Sequence, residues 1–510
     1  MHKEIVEIVE MIDLASVYEV ADKSPLEKAQ KLSLKLANNI YLKREDKQQV
    51  FSFKLRGAYN KIRQLSDIER KQGVITASAG NHAQGVALAA QKLRIPATIV
   101  MPKTTPDIKV NSVRNLGGEV VLHGNTYDDA YSKALALADK SGQVFVHPYD
   151  DLEVIAGQGT IAKELLEQCA SMDVVFIPVG GGGLVAGVAA YLKAKNSKIK
   201  IIAIEPEDAA CLDAAMKSGE RTVLDQVGIF ADGVAVRQIG EKPFNIAKHC
   251  IDEVLTVNTD EICAAIKDIF EDTRAIAEPA GALAVAGIKK YLDKYDIKSQ
   301  NLIAIVSGAN INFDRLRHVA ERAEIGEQAE AILAVTIEEQ PGSFRRFCKM
   351  IGHYGITEFN YRYAGEDKAH IFVGVKLQNG EEDKIKLIAM LTSKNYPVID
   401  MSDNEMAKIH IRYMVGGRSQ IQKASGVKEC VYRFQFPERP GALLRFLDHM
   451  GEDWNISLFH YRNHGAAYGR ILVGIEVPEN EQVQFKEFLE KLQYPYWDET
   501  ENPAFNLFLS

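Results

Sequence analysis

From Ile40 to Ser307, short apolar runs rich in β-branched residues alternate with stretches of helical spacing, and this alternation constrains the fold more than any other feature. Strands are predicted over 40–46, 73–78, 97–101, 119–123, 144–146, 173–179, 200–205, 253–257 and 302–307. Helices are predicted over 81–93, 127–140, 158–168, 260–271 and 281–292, filling most of the gaps. Alternation of this kind implies a mostly parallel sheet covered by helices on both faces. Ligands in such sheets bind in crevices at the carboxyl ends of the strands. Three glycine- or serine-rich elements fall there: Ser78–Gly85, Gly180–Gly183 and Ser307–Asn310. Ahead of the first strand, Ser24-Pro25-Leu26 to Ala37 reads as a capped helix with proline in its first turn.

At 510 residues the chain exceeds one ordinary domain and suggests about three. A hydrophobic fraction of 46% and a charged fraction of 25% are those of a soluble globular protein. A net charge of −8 with no basic patch excludes nucleic acid as the expected partner. The six cysteines are scattered without C-x-x-C spacing, which argues against a structural zinc site or a disulfide framework and fits a reducing cytosol. Met1–Leu14 lacks the long apolar core and cleavage site of a signal peptide. Val174–Leu192 is apolar enough to test as a membrane span, but Pro178 and four consecutive glycines make it a strand, a loop and a helix.

Beyond Asn310 the texture changes. Phe313–Glu330, rich in Arg and Glu at helical spacing, reads as a neck, and an internal repeat follows. Pro341-Gly342 recurs at Pro440-Gly441, Arg346-Phe347 at Arg445-Phe446, and Gly352 at Gly451. Phe359, Tyr361 and Arg362 recur at Phe459, Tyr461 and Arg462, and Tyr396-Pro397 at Tyr494-Pro495. The offset stays at 98–100 residues, so the two units share one layout. Each reads strand, helix, strand, strand, helix, strand, the ferredoxin-like order. A short linker around Ser419–Gly426 separates them.

The chemistry centres on Ser52-Phe53-Lys54-Leu55-Arg56-Gly57. A lysine becomes a nucleophile when burial or a neighbouring cation lowers its pKa. Phe53 and Leu55 offer an apolar wall and Arg56 a neighbouring charge; alone, the stretch also reads as a surface lysine opening an amphipathic helix. Gly180–Gly183 leaves backbone N–H groups uncovered at a helix N-terminus, a cradle for a dianion. The chain has no G-x-x-x-x-G-K-S/T pattern, which excludes a nucleotide P-loop. A dinucleotide fingerprint fits poorly, because the run lies far from a first strand–helix–strand unit. Ser78–Asn81 offers N–H groups and a hydroxyl at a second helix N-terminus.

Taken together and in this order, the Lys54 stretch, Ser78-Ala79-Gly80-Asn81-His82-Ala83-Gln84-Gly85, Gly180–Gly183 and Ser307-Gly308-Ala309-Asn310 resemble the pyridoxal-phosphate enzymes of the tryptophan-synthase-β type (fold type II). The resemblance is strongest to the biosynthetic threonine deaminases and runs over the whole chain. It implies an α/β catalytic domain over 1–322, followed by two α+β ferredoxin-like (ACT-like) regulatory domains over 331–403 and 429–501. It implies that Lys54 carries the Schiff base and then acts on the Cα proton. Gly180, Gly181, Gly182, Gly183 and Leu184 would take the phosphate, and Asn81 the ring hydroxyl. Ser78, Gly80 and Asn81 would take the substrate carboxylate, and Ser307 would face the pyridine nitrogen. An Asp at that last place would keep the nitrogen protonated; a hydroxyl cannot, which favours elimination over racemisation or transamination. The activity implied is deamination of L-threonine to 2-oxobutanoate and ammonia, slower with L-serine, as the first step of isoleucine synthesis.

The resemblance further implies isoleucine as inhibitor, valine as opposing effector, a cytoplasmic homotetramer, and no nucleic-acid or membrane partner. Tyr361, Arg362, Tyr461 and Arg462 are the candidate effector residues, with the repeat's aromatics serving equally as the core of each small sheet. Some relatives bind a cation near Glu205, with a carboxylate where this chain has Cys211, so no metal is expected. Glu278-Pro279-Ala280-Gly281 starts a helix near the cofactor, where Glu278 reads equally as a helix cap. His82 reads as structural. The alternatives are another fold-type-II activity, such as serine dehydratase, serine racemase or threonine synthase, or an amino-acid sensor with a vestigial catalytic half. The doubled C-terminal unit and the intact lysine, glycine and serine elements argue against these.

Overall fold

The apolar runs before Asn310 build two sheets. In chain order the strands are β1 (Leu26–Lys28), β2 (Asn39–Arg44), β3 (Val74–Ala77), β4 (Ala97–Met101), β5 (Glu119–Leu122), β6 (Val144–Phe145), β7 (Val174–Pro178), β8 (Lys200–Pro206), β9 (Glu253–Val257) and β10 (Asn301–Val306). One sheet has the order β1-β2-β10-β7-β8-β9 and the other β5-β4-β3-β6. All neighbours are parallel except the edge pair β1–β2. The central strands β3, β4 and β7 are buried along their whole length, as a sheet covered on both faces requires.

This is a computed structural model. It describes residues 3–509 apart from 339, 341, 353, 363–367, 415–425, 438–446, 449–453, 463–467 and 493. Pro341, Pro440-Gly441, Arg445-Phe446, Gly451 and most of the 419–426 linker therefore lie outside the described residues. The chain divides into two compact units, Met1–Gly326 and Glu327–Ser510.

One expected helix is replaced. Leu26–Lys28 pairs with Tyr41–Lys43 as β1, and only Gln30–Lys35 is helical. The Ser24 hydroxyl, expected as the cap, instead donates to the buried Glu45 carboxylate. The β2 edge, unpaired on that side, gains a ladder that a longer helix would forfeit. Arg315–Gly326, inside the predicted neck, is a helix of the first unit. It lies on the helix Thr259–Thr273, tied by a buried Arg322–Asp260 ion pair and by Lys267 at 2.7 Å from Glu324.

Among the described residues, the second unit holds one antiparallel sheet of eight strands. Its strands are β11 (Glu330–Glu338), β12 (Ile356–Arg362), β13 (Lys368–Lys376), β14 (Val398–Asp400), β15 (Val427–Pro437), β16 (Asn455–Arg462), β17 (Tyr468–Pro478) and β18 (Tyr496–Asp498), in the order β14-β11-β13-β12-β16-β17-β15-β18. The first repeat follows the ferredoxin-like order, with helices Ser343–Ile351 and Glu381–Ser393. The repeats join through β12 and β16, where Asn360 lies opposite His460 and Tyr361 opposite Phe459. Equivalent residues thus face each other across a local two-fold.

Candidate active site

The Lys54 stretch and the three glycine- or serine-rich elements each follow the carboxyl end of a parallel strand, where chain turns leave room between sheet and helices. Lys54 opens the helix Lys54–Arg63 ten residues after β2. The segment before it is stitched to the end of β10: Ser52 bridges Gly308, Phe53 N–H donates to Ser307 O at 3.2 Å, and Ala309 N–H donates to Phe51 O at 2.9 Å. Lysine and serine, far apart in sequence, are neighbours through this ladder.

Lys54 Nζ donates to the Pro148 carbonyl at 3.2 Å and lies 5.4 Å from the centre of the Phe53 ring. Burial pulls its pKa down to about 8, against the opposing pull of the Glu278 charge. The apolar wall is Phe53, as expected, whereas Leu55 belongs to the core on the other side of the helix. Arg56 does not act as the neighbouring cation. Its guanidinium is fully buried and held by Glu45 at 2.8 Å and Glu164 at 2.6 Å, with Lys43 at 2.5 Å from Glu164. Those carboxylates neutralise it, so desolvation alone readies Lys54.

The loop after β3 turns into the helix Asn81–Leu93. Ser78 Oγ accepts from Gly80 N–H and Ala83 N–H, each at 3.3 Å, which shapes the turn. A side chain on Gly80 would meet nothing within 4 Å, so open space lies beside this loop. The loop after β7 turns into the helix Gly183–Lys195, whose first-turn N–H groups have no partner within the helix. Gly182 adopts φ +91°, and a Cβ on Gly181 would run into the Tyr149 ring, so both positions require glycine. Leu184 is buried below the loop. Ser307 is buried at the end of β10, with Oγ at 3.3 Å from the Ala280 carbonyl, a long bond that a rotating hydroxyl can exchange for one to a ring nitrogen.

These residues fit a pyridoxal phosphate. The donor set combines an amine with a lowered pKa, a helix N-terminus made approachable by glycine, and a hydroxyl in place of a carboxylate. Among the described residues, Ser52 Oγ and His82 Nδ1 are buried without a hydrogen-bond partner, the first two residues from Lys54. His82 Nε2 lies 2.9 Å from Val146 O and so carries the proton. Burial, then the Lys54 charge, pushes its pKa down to about 3, so it stays neutral and is no base at working pH.

Two side chains have positions the sequence left open. Glu205 accepts from the N–H groups of Leu212 and Asp213, both at 2.8 Å, and burial pushes its pKa up to about 7. It serves the start of the helix Cys211–Ser218. Glu278, at the N-cap position of the helix Pro279–Lys294, makes no side-chain cap. Its carboxylate reaches instead into the site, accepting from Asn81 Nδ2 at 2.6 Å and Asn310 N–H at 3.0 Å. An acidic residue beside Pro-Ala-Gly was the only sequence signal for it.

In the second unit the candidate effector residues separate. Tyr361 and Tyr461 are buried in the helix-covered core, with Phe344 5.3 Å from the Tyr361 ring. Arg362 and Arg462 project from the opposite face, as successive residues of a strand must. Arg362 pairs with Glu429 and donates to Leu509 O at 2.6 Å. Arg462 lies over the Tyr413 ring at 4.7 Å and 3.9 Å from Glu358. The structure therefore does not bring either tyrosine into one pocket with its neighbouring arginine.

Comparison with known proteins covers both units. Residues 18–308 match the family of pyridoxal-phosphate dependent enzymes, and residues 321–411 and 421–509 match the C-terminal regulatory domain of threonine dehydratase. The biosynthetic L-threonine dehydratase of Pasteurella multocida is 53% identical over 496 residues, 97% of this chain and 96% of that one. The mitochondrial threonine dehydratase of Saccharomyces cerevisiae is 49% identical over 516 residues, 98% of this chain and 89% of that one. Among solved structures, the processed form of threonine deaminase isoform 2 from Solanum lycopersicum aligns with a TM-score of 0.62 and 51% identity, over 63% of this chain and 94% of that one.

Proposed function

The chain belongs to the biosynthetic threonine dehydratases, pyridoxal-phosphate dependent enzymes with a C-terminal regulatory region, and from that premise we propose how its own residues carry out and control the deamination of L-threonine to 2-oxobutanoate and ammonia. The observation that carries the reading is Lys54, an amine with a pKa lowered to about 8, laced to Ser307 and flanked by the 78–81 loop.

The helix N-terminus at Gly182–Leu184 would hold the cofactor phosphate. The N–H groups and hydroxyl of Ser78–Asn81 take the substrate carboxylate beside the open space at Gly80. Bound pyridoxal phosphate supplies the electron sink for the pair left at Cα. Lys54 Nζ takes the Cα proton, and the β-hydroxyl leaves with a proton as water. The released 2-aminocrotonate tautomerises, and water replaces its nitrogen as ammonia. One water leaves and one returns, with no oxidant or reductant. Ser307 would offer the ring a neutral hydroxyl rather than a carboxylate, which would make the bound cofactor a weaker electron sink and loss of the β-substituent the easier exit. Serine, without the methyl group, is the slower substrate. Isoleucine as inhibitor, valine as its opponent, a homotetrameric assembly and a cytoplasmic location complete the proposal. Among the described residues no helix is long and apolar enough to cross a membrane.

Release of 2-oxobutanoate from threonine, measured with and without isoleucine, tests the reading. A protein that consumes no threonine sinks it. A base with a pKa of about 8 predicts an acid limb: turnover rises about tenfold per pH unit below pH 8 and levels above it, because only the neutral amine takes a proton. A flat profile between pH 6 and pH 9 contradicts Lys54 as the base. Replacing Ser307 with Asp deepens the electron sink. Elimination is expected to slow, with racemised threonine and the half-transamination product appearing. Full elimination with no new product overturns the ring-nitrogen argument.

A further inference from the structure

Glu278, Asn81 and Asn310 come from three separate segments and close a ring of hydrogen bonds. Glu278 Oε1 accepts from Asn81 Nδ2 at 2.6 Å, and Oε2 accepts from the Asn310 backbone N–H at 3.0 Å. Asn310 Nδ2 donates to Asn81 Oδ1 at 2.6 Å and to Val50 O at 2.8 Å. Glu278 is 4% exposed, and a burial this deep is costly for a carboxylate that does not cap its own helix. The space around it is kept clear: a Cβ on Gly308 would lie 2.6 Å from Glu278 Oε1.

A primary amide is nearly symmetric in shape but not in polarity. Turned over, Asn81 would set its oxygen against the Glu278 carboxylate and its nitrogen against the Asn310 nitrogen, acceptor to acceptor and donor to donor. Only one orientation satisfies both neighbours. In that orientation Glu278 takes one of the two hydrogens on Asn81 Nδ2, which leaves the other for a further acceptor.

We propose that Glu278 and Asn310 are positioning residues that hold the Asn81 amide with its nitrogen turned to the cofactor's ring hydroxyl. The proposal rests on the reading of Asn81 as a cofactor contact. Left free, the amide would present oxygen about as readily as nitrogen, and only the nitrogen can donate to the ring oxygen in its ionised form.

The test uses the full-length holoenzyme. In Glu278→Gln the new amide can accept from Asn81 or from the Asn310 N–H, not from both. The dissociation constant for pyridoxal phosphate is expected to rise about tenfold, the cost of one charge-assisted hydrogen bond. The visible absorption maximum of the bound cofactor shifts, and kcat falls more than KM for threonine changes. In an Asn81→Ala background, Glu278→Gln adds no further loss of cofactor affinity, because it acts through Asn81. A second variant, Asn310→Asp, puts an acceptor against Asn81 Oδ1 while keeping the backbone N–H to Glu278, and is expected to give the same loss and spectral shift. Should Glu278→Gln fail to fold, Asn310→Asp decides alone. Unchanged affinity and spectrum in the folded variants overturn the clamp, as does a lowered melting temperature with an unchanged spectrum. Full additivity with Asn81→Ala overturns it too. If Asn81→Ala alone changes neither affinity nor spectrum, the reading of Asn81 fails, and the clamp with it.

Discussion

Replacing Lys54 with alanine is expected to remove threonine deamination almost completely while leaving the protein folded. Two roles vanish together, covalent attachment of the cofactor and transfer of the Cα proton, and the second alone is worth roughly 10²- to 10⁴-fold in rate. The fold has little stake in this side chain. Its amine donates to the Pro148 carbonyl at 3.2 Å, and its removal relieves the desolvation that lowers its pKa. Alanine also suits the first turn of a helix. Borohydride reduction followed by intact-mass measurement is expected to fix cofactor in the parent protein and none in the variant, with matching thermal transitions. Lys54→Arg separates charge from chemistry, since it keeps a cation but supplies no nucleophile. A folded Lys54→Ala protein that still deaminates threonine refutes the assignment.

The parts of this site that were legible in the sequence are those whose chemistry is local. Lys54, Gly180–Gly183 and the Ser78–Asn81 loop each declare themselves within a few residues, because a strand, a turn and a helix start are consecutive. Their convergence follows from one rule, that loops at the carboxyl ends of parallel strands face one crevice. Glu278 was only partly legible. Its partner Asn81 is 197 positions away, and nothing near Glu278 distinguishes a carboxylate that caps a helix from one that spans the site. Arg56 reads as a free charge beside Lys54 because one of its two neutralising partners, Glu164, is 108 positions distant, and nothing local marks Glu45 as the other. The edge strand β1 was hidden by a proline and a serine that imitate a helix start. Tyr361 and Arg362 were separable from the outset, because neighbours on a strand point to opposite faces.

A chain ending at Gly326 is expected to bind pyridoxal phosphate and deaminate threonine while losing its response to isoleucine. The cut falls where the two compact units divide. It keeps the helix Arg315–Gly326 with its ties to Asp260 and Lys267, so the first unit retains its packing. The cores are separate as well: the aromatic cluster around Phe344, Phe359 and Phe459 draws only on the second unit, and the clusters around Lys54 and Ser307 only on the first. An effector acts at a distance by binding two global states unequally, and coupling of about 1–3 kcal/mol changes threonine affinity roughly 5- to 150-fold. Removing the unit that binds the effector removes the whole of that factor. Within the full chain, the two faces of the second sheet predict different failures. Tyr361→Ala and Tyr461→Ala open the core and lower the melting temperature of the second unit, so any loss of inhibition comes with loss of structure. Arg362→Ala and Arg462→Ala act on the opposite, charged face and are expected to weaken isoleucine inhibition with basal turnover preserved. Isoleucine titrations of threonine deamination on the truncated chain and the four variants measure all of this. A truncated enzyme that is active and still inhibited by isoleucine places the sensor in the first unit and overturns the regulatory role proposed for the repeat.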